Sequence, residues 1–303
     1  MGHGKCSPQA LPWVILGPMK AQPELAAAAK PKRRWFQFSV ATLLLLTLVC
    51  AVVLALWVAP AARQRRAVEY VESVGGHMEY AGTGDDAHLA PGWLREWLGP
   101  DYFQSVRMVT LQDTKVSDLN LVHLEGLPGL EVLFLTDTQV SDVGIAHLNG
   151  LTGLEWLTLD NTSVSDGGLA HLKEMRRLKQ LDLAYTDVGD AGLVYLGGLT
   201  GLERLYLDDT YVTGAGLVHL KDLSRLEWLT LGDTRVTDAG LPHLDGLLGL
   251  RVLRLHNTQV TDAGLAHLKR LTALEALYLE GTQVSDAGIV DLEAALPNCR
   301  IDH

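Results

Sequence analysis

The fold is decided by the stretch Leu274-Glu275-Ala276-Leu277-Tyr278-Leu279-Glu280-Gly281-Thr282-Gln283-Val284-Ser285-Asp286-Ala287-Gly288-Ile289. Its pattern recurs every 24 residues from Val106 to Pro297, eight times and without an insertion or deletion. Fixed-period repetition of this kind indicates a solenoid, in which each repeat is one supersecondary unit that stacks on its neighbours. We therefore expect an α/β solenoid with one parallel strand and one short helix in each repeat.

The predicted strand of each repeat has two different faces. In one repeat we expect Leu157 and Leu159 to point into the core, and Trp156 and Thr158 to point outward. Strands stacked about 4.8 Å apart would form a curved ribbon with a concave parallel sheet. The outward positions are the ones that the repeat leaves free to vary.

The predicted helix begins at a polar pair such as Ser165-Asp166. The hydroxyl is a helix N-cap, and the carboxylate favours the positive end of the helix. Leu265, Leu268 and Leu271 then form one apolar stripe. We expect Gly264 and its counterparts to let the helix lie close to the strand.

The segment from Phe38 to Val58 is uncharged and mostly apolar. A run of about 20 such residues is long enough to cross a bilayer as one helix. The alternative is a cleaved signal peptide with Ala59-Pro60-Ala61 as its cleavage site, but the apolar region of a signal peptide spans only about 7–15 residues. We favour an uncleaved anchor, which makes the chain a single-pass protein of the cell membrane.

Charge indicates the orientation and restricts the partners. Residues 30–34 hold four basic side chains and residues 63–66 hold three, so the positive-inside rule favours a cytoplasmic N-terminus and a solenoid on the non-cytoplasmic side. Residues 67–303 contain 35 Asp and Glu against 16 Lys and Arg. Such an acidic domain is unsuited to a phosphate backbone, and we expect no nucleic-acid partner.

We predict four regions along the chain: a disordered tail (1–29), a transmembrane anchor with a basic flank (30–61), a juxtamembrane segment with an N-terminal cap (62–105), and the leucine-rich solenoid of eight repeats (106–303). The juxtamembrane segment should contain a helix from Ala62 to Val74 that stops at Gly75-Gly76, then a short strand from His77 to Ala81. The aromatic-rich residues 88–105 are expected to cap the first repeat, since terminal repeats need caps. A truncated closing strand is expected near Ile301.

Two polar ladders run through the repeats, and neither has the pattern of a metal site. The carboxylates lie at helix starts, whereas calcium needs six to eight converging oxygens. No repeat supplies a second His or Cys beside its histidine, which we expect to bond a neighbouring repeat. The ladders are Asp118, Asp142, Asp166, Asp190, Asp238, Asp262 and Asp286, and His123, His147, His171, His219, His243 and His267.

No catalytic motif is recognisable in the sequence. Gly-x-Ser-x-Gly, His-Glu-x-x-His and a phosphate-binding glycine loop are all missing, and the glycines belong to the repeat frame. We therefore predict a non-enzymatic protein with neither cofactor nor metal.

Large side chains at the outward strand positions form the predicted binding site. Exposed aromatic and arginine side chains dominate binding hot spots. The predicted partner-binding residues on the concave face are Phe134, Trp156, Arg204, Tyr206, Trp228, Arg254 and Tyr278, interspersed with Asp182, Asp208 and Asp209.

The repeat resembles the leucine-rich repeat, with Thr where many members have Asn or Cys. Together with Arg33-Arg34-Trp35-Phe36-Gln37-Phe38-Ser39, the apolar segment, Trp93-Leu94 and Asp101-Tyr102-Phe103, it looks like a planctomycete-type family of membrane-anchored leucine-rich repeat proteins. The resemblance covers about residues 33–303. It implies a horseshoe fold and a role in protein interaction, but it names neither a partner nor an active site.

The leading hypothesis is a membrane-tethered module that binds a protein or peptide, and a basic one is favoured by the acidic solenoid. A stiff structural element that self-assembles in an envelope is a second interpretation. An exported carbohydrate-binding module, with Trp156 and Trp228 as stacking platforms, is a third.

Overall fold

The computed structural model describes residues 39–81 and 105–303. The chain divides into two compact units, one up to Val49 and one from Cys50 to His303. The predicted disordered tail and most of the predicted cap lie outside the described residues.

The described chain begins with a continuous helical segment, Val40–Ser73. It consists of helix α1 (Val40–Val53), a π-helical turn (Leu54–Val58) and helix α2 (Ala59–Ser73). The sequence predicts two helices, and the observed continuity has a physical cause. Pro60 lacks an N–H and its ring crowds the carbonyl one turn earlier, which the wider π turn accommodates.

Helix α2 stops at the predicted glycines. Gly75 adopts a left-handed φ of +83°, which a residue without Cβ adopts at little cost. The Gly76 N–H then donates to the Val71 carbonyl at 2.9 Å, closing the helix end.

The strands form one ten-stranded sheet in chain order. Strand β1 pairs antiparallel with β2, and every later pair is parallel. The short predicted strand after α2 and the closing strand at the end are therefore confirmed. The strands are β1 His77–Tyr80, β2 Val106–Thr110, β3 Val132–Phe134, β4 Trp156–Thr158, β5 Gln180–Asp182, β6 Arg204–Tyr206, β7 Trp228–Thr230, β8 Val252–Arg254, β9 Ala276–Tyr278 and β10 Arg300–Asp302.

Each repeat strand is followed by a short helix, some of them α and some 3₁₀. Pro242 lies inside one 3₁₀ segment. The α-helices are Asp118–Leu121, Asp142–Ile145, Asp166–Leu169, Asp190–Leu193, Asp262–Leu268 and Asp286–Ala295, and the 3₁₀ segments are Val122–Gly126, Ala146–Leu148, Gly216–Leu220 and Asp238–Leu244.

Leucines fill the space between sheet and helices. Leu157, Leu159 and Leu268 have no exposed surface, as the alternation and the stripe predict. The threonines of the six inner repeats are also buried and bond locally: the Thr138 hydroxyl donates to the Leu135 carbonyl at 2.6 Å. This bond satisfies a buried hydroxyl at the position where related repeats have Asn or Cys.

The aspartates join successive repeats. Asp118 accepts from the Ser141 N–H at 2.7 Å and from the Ser141 hydroxyl at 2.6 Å. A Cβ on Gly144 would lie 2.6 Å from the Asp118 Oδ1. The predicted role of the repeat glycine is therefore corrected: it makes room for the carboxylate of the preceding repeat rather than for the strand.

One position of the aspartate ladder is occupied by glycine. Gly214 stands where the other repeats have Asp, so Thr237 receives no carboxylate from the repeat before it. A Cβ on Gly214 would lie 2.8 Å from the Gly240 nitrogen. Backbone packs against backbone at this junction.

Helix α2 and β1 cover the N-terminal end of the sheet and core. Ala67 and Val71 are completely buried in the same cluster as the repeat leucines. The Tyr70 ring stacks on His123 with centroids 4.3 Å apart. The segment predicted as juxtamembrane thus caps the first repeat, whereas residues 88–104 of the predicted cap lie outside the described part of the chain.

Candidate binding surface on the open face of the sheet

In each repeat strand, the two residues on either side of the buried central leucine (Val109 in β2) face away from the core. We call this surface the open sheet face. The strand register places these residues in two rows across the strands. The first row is Met108, Val132, Trp156, Gln180, Arg204, Trp228, Val252 and Ala276; the second is Thr110, Phe134, Thr158, Asp182, Tyr206, Thr230, Arg254 and Tyr278.

All seven predicted binding residues lie in these two rows. Trp156 is the most open of the rings, with 38% of its surface exposed. Thr158 faces outward as predicted but is covered, since only 7% of it is exposed. Asp208 and Asp209 follow strand β6: the charge of Asp208 acts on Asp182, whereas Asp209 lies in a left-handed turn with a φ of 49°.

Four of the seven residues form one cluster on strands β6 to β9. The Tyr206 and Trp228 rings have centroids 6.4 Å apart and are tilted by 42°. The Arg254 guanidinium carbon lies 5.9 Å from the Trp228 ring centre and 5.0 Å from that of Tyr278. We call these four residues the aromatic–arginine cluster. Such contacts hold large side chains in fixed positions.

Carboxylates lie beside this cluster. The pKa of Asp182 is raised to about 6, mainly by burial and also by the charges of Asp160 and Asp208, while the hydrogen bond from the Ala184 N–H lowers it. That N–H donates to the Asp182 Oδ1 at 3.0 Å. The Thr136 hydroxyl donates to Asp160 at 2.6 Å. A cation from a ligand would relieve the repulsion between these carboxylates.

A depression of about 450 Å³ lies along the other part of the open sheet face. Trp156 and Arg204 line it, and so does a charged pair in which the Lys179 amine lies 2.6 Å from Glu155. The hydrogen bond from Lys179 lowers the pKa of Glu155. Arg204 donates to the Gln180 side chain at 3.3 Å. Trp156 and Arg204 thus share one depression, separate from the aromatic–arginine cluster.

Two histidines of the ladder make the predicted hydrogen bonds between repeats. His147 Nδ1 lies 3.0 Å from Glu125, and His171 Nδ1 lies 3.2 Å from the Asn149 amide. Within residues 39–81 and 105–303, no group of three His, Cys, Asp or Glu side chains is arranged to hold a metal ion.

Sequence reasoning missed some residues of this surface. Gln180 and Asp160 contribute to it, and both could have been found by extending the alternation to polar residues. A second depression, of about 340 Å³, lies beyond the strand ends and is lined by Tyr185 and Tyr211. Tyr185 has a left-handed φ of 56°, which the other repeats give to Asp, Asn or Gly.

Comparison with known proteins identifies the repeat type. A family model described as Leucine Rich repeat matches residues 175–197. No curated protein sequence matches the chain.

The chain is similar to several solved structures. An internalin C2 from Listeria monocytogenes is 28% identical, with a TM-score of 0.57, over 65% of this chain and 80% of that one. An internalin (inlF) from the same species is 23% identical, with a TM-score of 0.49, over 62% of this chain and 57% of that one. The ectodomain of the Arabidopsis thaliana receptor kinase GASSHO1/SCHENGEN3, in complex with CASPARIAN STRIP INTEGRITY FACTOR 2, is 19% identical, with a TM-score of 0.47, over 65% of this chain and 26% of that one. The internalin C2 match supports a leucine-rich repeat solenoid like those of bacterial proteins.

Proposed function

We propose that this chain is a non-enzymatic module, tethered to the cell membrane, that binds a protein or peptide on its open sheet face. Leucine-rich repeat solenoids commonly serve in protein interaction, because stacked repeats create an extended surface. The observation that carries the proposal is the aromatic–arginine cluster. It joins four successive strands on the open sheet face.

The composition of this face indicates the chemistry of the ligand. Tyr, Trp and Arg are the side chains that contribute most at binding hot spots. The neighbouring carboxylates, with Asp182 at their centre, favour lysine or arginine side chains of a ligand. A peptide with apolar and basic groups fits both features.

The N-terminal helix supports the proposed attachment to the membrane. Val40–Ser73 is the one helix of the described residues that is long and apolar enough to cross a membrane. Its most apolar stretch of 18 residues has a mean hydropathy of 2.7. The basic residues that precede the helix favour a solenoid on the non-cytoplasmic side.

The test is peptide capture by the full-length chain in lipid nanodiscs. A random heptapeptide pool is passed over the immobilised protein, and the retained peptides are identified by mass spectrometry. Replacing Trp156, Arg204 and Trp228 by Ala should reduce retention at least about tenfold, because hot-spot rings and a guanidinium are removed. Thermal unfolding of the variant should remain cooperative.

A matched control removes apolar surface elsewhere. Val143, Val194 and Leu248 lie on or beside the repeat helices and are 62%, 52% and 62% exposed. Replacing these three by Ala should leave the retained peptides unchanged. If the open-face variant retains the same peptides as the wild type, the ligand binds elsewhere and the proposal fails.

A further inference from the structure

We propose that Arg254 is the centre of a carboxylate-binding subsite on the open sheet face. The subsite would take the C-terminal carboxylate of a peptide or the carboxylate of an acidic side chain. This inference rests on the proposed function, and it names one chemical group that the ligand must present.

The Arg254 guanidinium is held between two aromatic rings. Its central carbon lies 5.9 Å from the Trp228 ring centre and 5.0 Å from the Tyr278 ring centre. The Arg254 Nε is buried and has no hydrogen-bond partner among the described residues. The rings therefore fix the guanidinium in position while leaving its hydrogen bonds unmade.

Acidic residues outnumber basic ones in this solenoid, and two basic side chains that precede strands pair with carboxylates: Lys179 lies 2.6 Å from Glu155, and Arg251 lies 2.6 Å from Glu275. Arg254 makes no ion pair within 4.0 Å and no hydrogen bond to a described residue. A guanidinium is always charged, and of its nitrogens only Nε is buried, so the remaining N–H groups are free to bind a carboxylate brought by a ligand.

Space for such a group lies beside Arg254. A depression of about 360 Å³ is lined by Arg254, His256, Asn257, Tyr278 and Glu280. The His256 Nε2 lies 3.1 Å from the Asp233 Oδ2, and the Asn257 side-chain amide donates to the Asp233 Oδ1 at 2.8 Å. Glu280 lines the depression without pairing with Arg254. A guanidinium presents its N–H groups as a planar fork that matches a carboxylate.

The subsite is tested directly with small carboxylates. The full-length chain is labelled with 5-fluorotryptophan in nanodiscs, and the Trp228 fluorine resonance is assigned by comparison with Trp228→Phe. The probes are N-acetylglycine, which mimics a peptide C-terminus, N-acetylaspartic acid α-amide, which mimics an acidic side chain, and neutral N-acetylglycinamide. We expect a saturable shift of the Trp228 signal with at least one carboxylate and none with the neutral amide.

Three variants locate the binding. Arg254→Gln should weaken the response at least about tenfold, and Arg254→Lys should weaken it less, because the charge remains and the fork is lost. Arg251→Gln is the control, since Arg251 is already paired with Glu275. The fluorine signals of the other tryptophans report whether each variant is folded.

The outcomes distinguish a chain terminus from an acidic side chain as the source of the carboxylate. They also distinguish the subsite from the proposed function. A stronger response to N-acetylglycine assigns the subsite to a chain terminus, and a stronger response to the aspartate probe assigns it to a side chain. An equal response to the neutral amide, or a response that Arg254→Gln leaves intact, overturns the subsite. Because no peptide pool is involved, failure here leaves the capture result to decide the proposed function separately.

Discussion

At the residue scale, Asp182 is a carboxylate whose protonation depends on folding. Its pKa is raised to about 6 in the folded chain, first by burial and then by Asp160 and Asp208. The pKa of an unfolded aspartate is about 3.9. Between these values the folded state binds more protons than the unfolded state, so its stability falls as the pH rises from about 4 to about 6.

The Asp182→Asn variant should therefore be more stable than the wild type at pH 7.5. The gain in the free energy of unfolding is at most about 3 kcal/mol, which corresponds to the difference between the folded and unfolded pKa values of Asp182. The gain should vanish near pH 4. Urea unfolding at both values measures it. Asp187→Asn, at an exposed position in the following turn, is the control. A gain that is equal at both pH values would show that the charge of Asp182 is not the cause.

The positions of the binding residues could be predicted from the sequence, but their contacts could not. Alternation along a strand decides which side chains face outward, and all seven predicted residues do so. Whether Arg254 stacks on Trp228 or pairs with a carboxylate depends on side-chain rotamers in adjacent strands. The pKa of Asp182 likewise depends on burial by neighbours, and the repeat pattern does not contain this information.

At the element scale, the ladder aspartates join helix starts to the repeats that follow them. Asp142→Ala should destabilise the solenoid by about 1–3 kcal/mol, because it removes two bonds and leaves the Ser165 N–H without its partner. The measurement is urea unfolding of the full-length chain in detergent.

The last repeat supplies the control for this change. Asp286 starts the final helix, and the described residues contain no following repeat whose Ser or Thr it could bond. Asp286→Ala should cost less than about 1 kcal/mol, the value of a charge at a helix N-terminus. Equal losses for the two variants would mean that the bonds between repeats contribute little.

The sequence predicted where the helices begin but only part of the reason. Ser165 is the expected N-cap, and its hydroxyl accepts from the Gly167 N–H at 3.4 Å. The stronger contacts of Asp142 cross to the next repeat, and a pattern read one repeat at a time does not reveal them. The π turn before Pro60 was also missed, because a proline usually marks a helix start.

At the scale of the whole molecule, the proposed function places the solenoid on the non-cytoplasmic side of the membrane. We expect added protease to digest residues 67–303 in cells whose outer barriers are opened and whose inner membrane is intact. A cytoplasmic protein digested only after lysis is the control. Protection of the solenoid would reverse the proposed orientation and make the chain a cytoplasmic adaptor.

The glycine in the aspartate ladder has a mechanical consequence. A stacked array under tension opens first at the junction with the fewest hydrogen bonds. Because of Gly214, Thr237 lacks the two hydrogen bonds to an aspartate that, for example, Thr261 makes to Asp238. If the chain is pulled between its ends, the junction between these two repeats is the expected fracture plane. It would divide the solenoid into a longer block that includes Trp156 and a shorter one that includes Arg254.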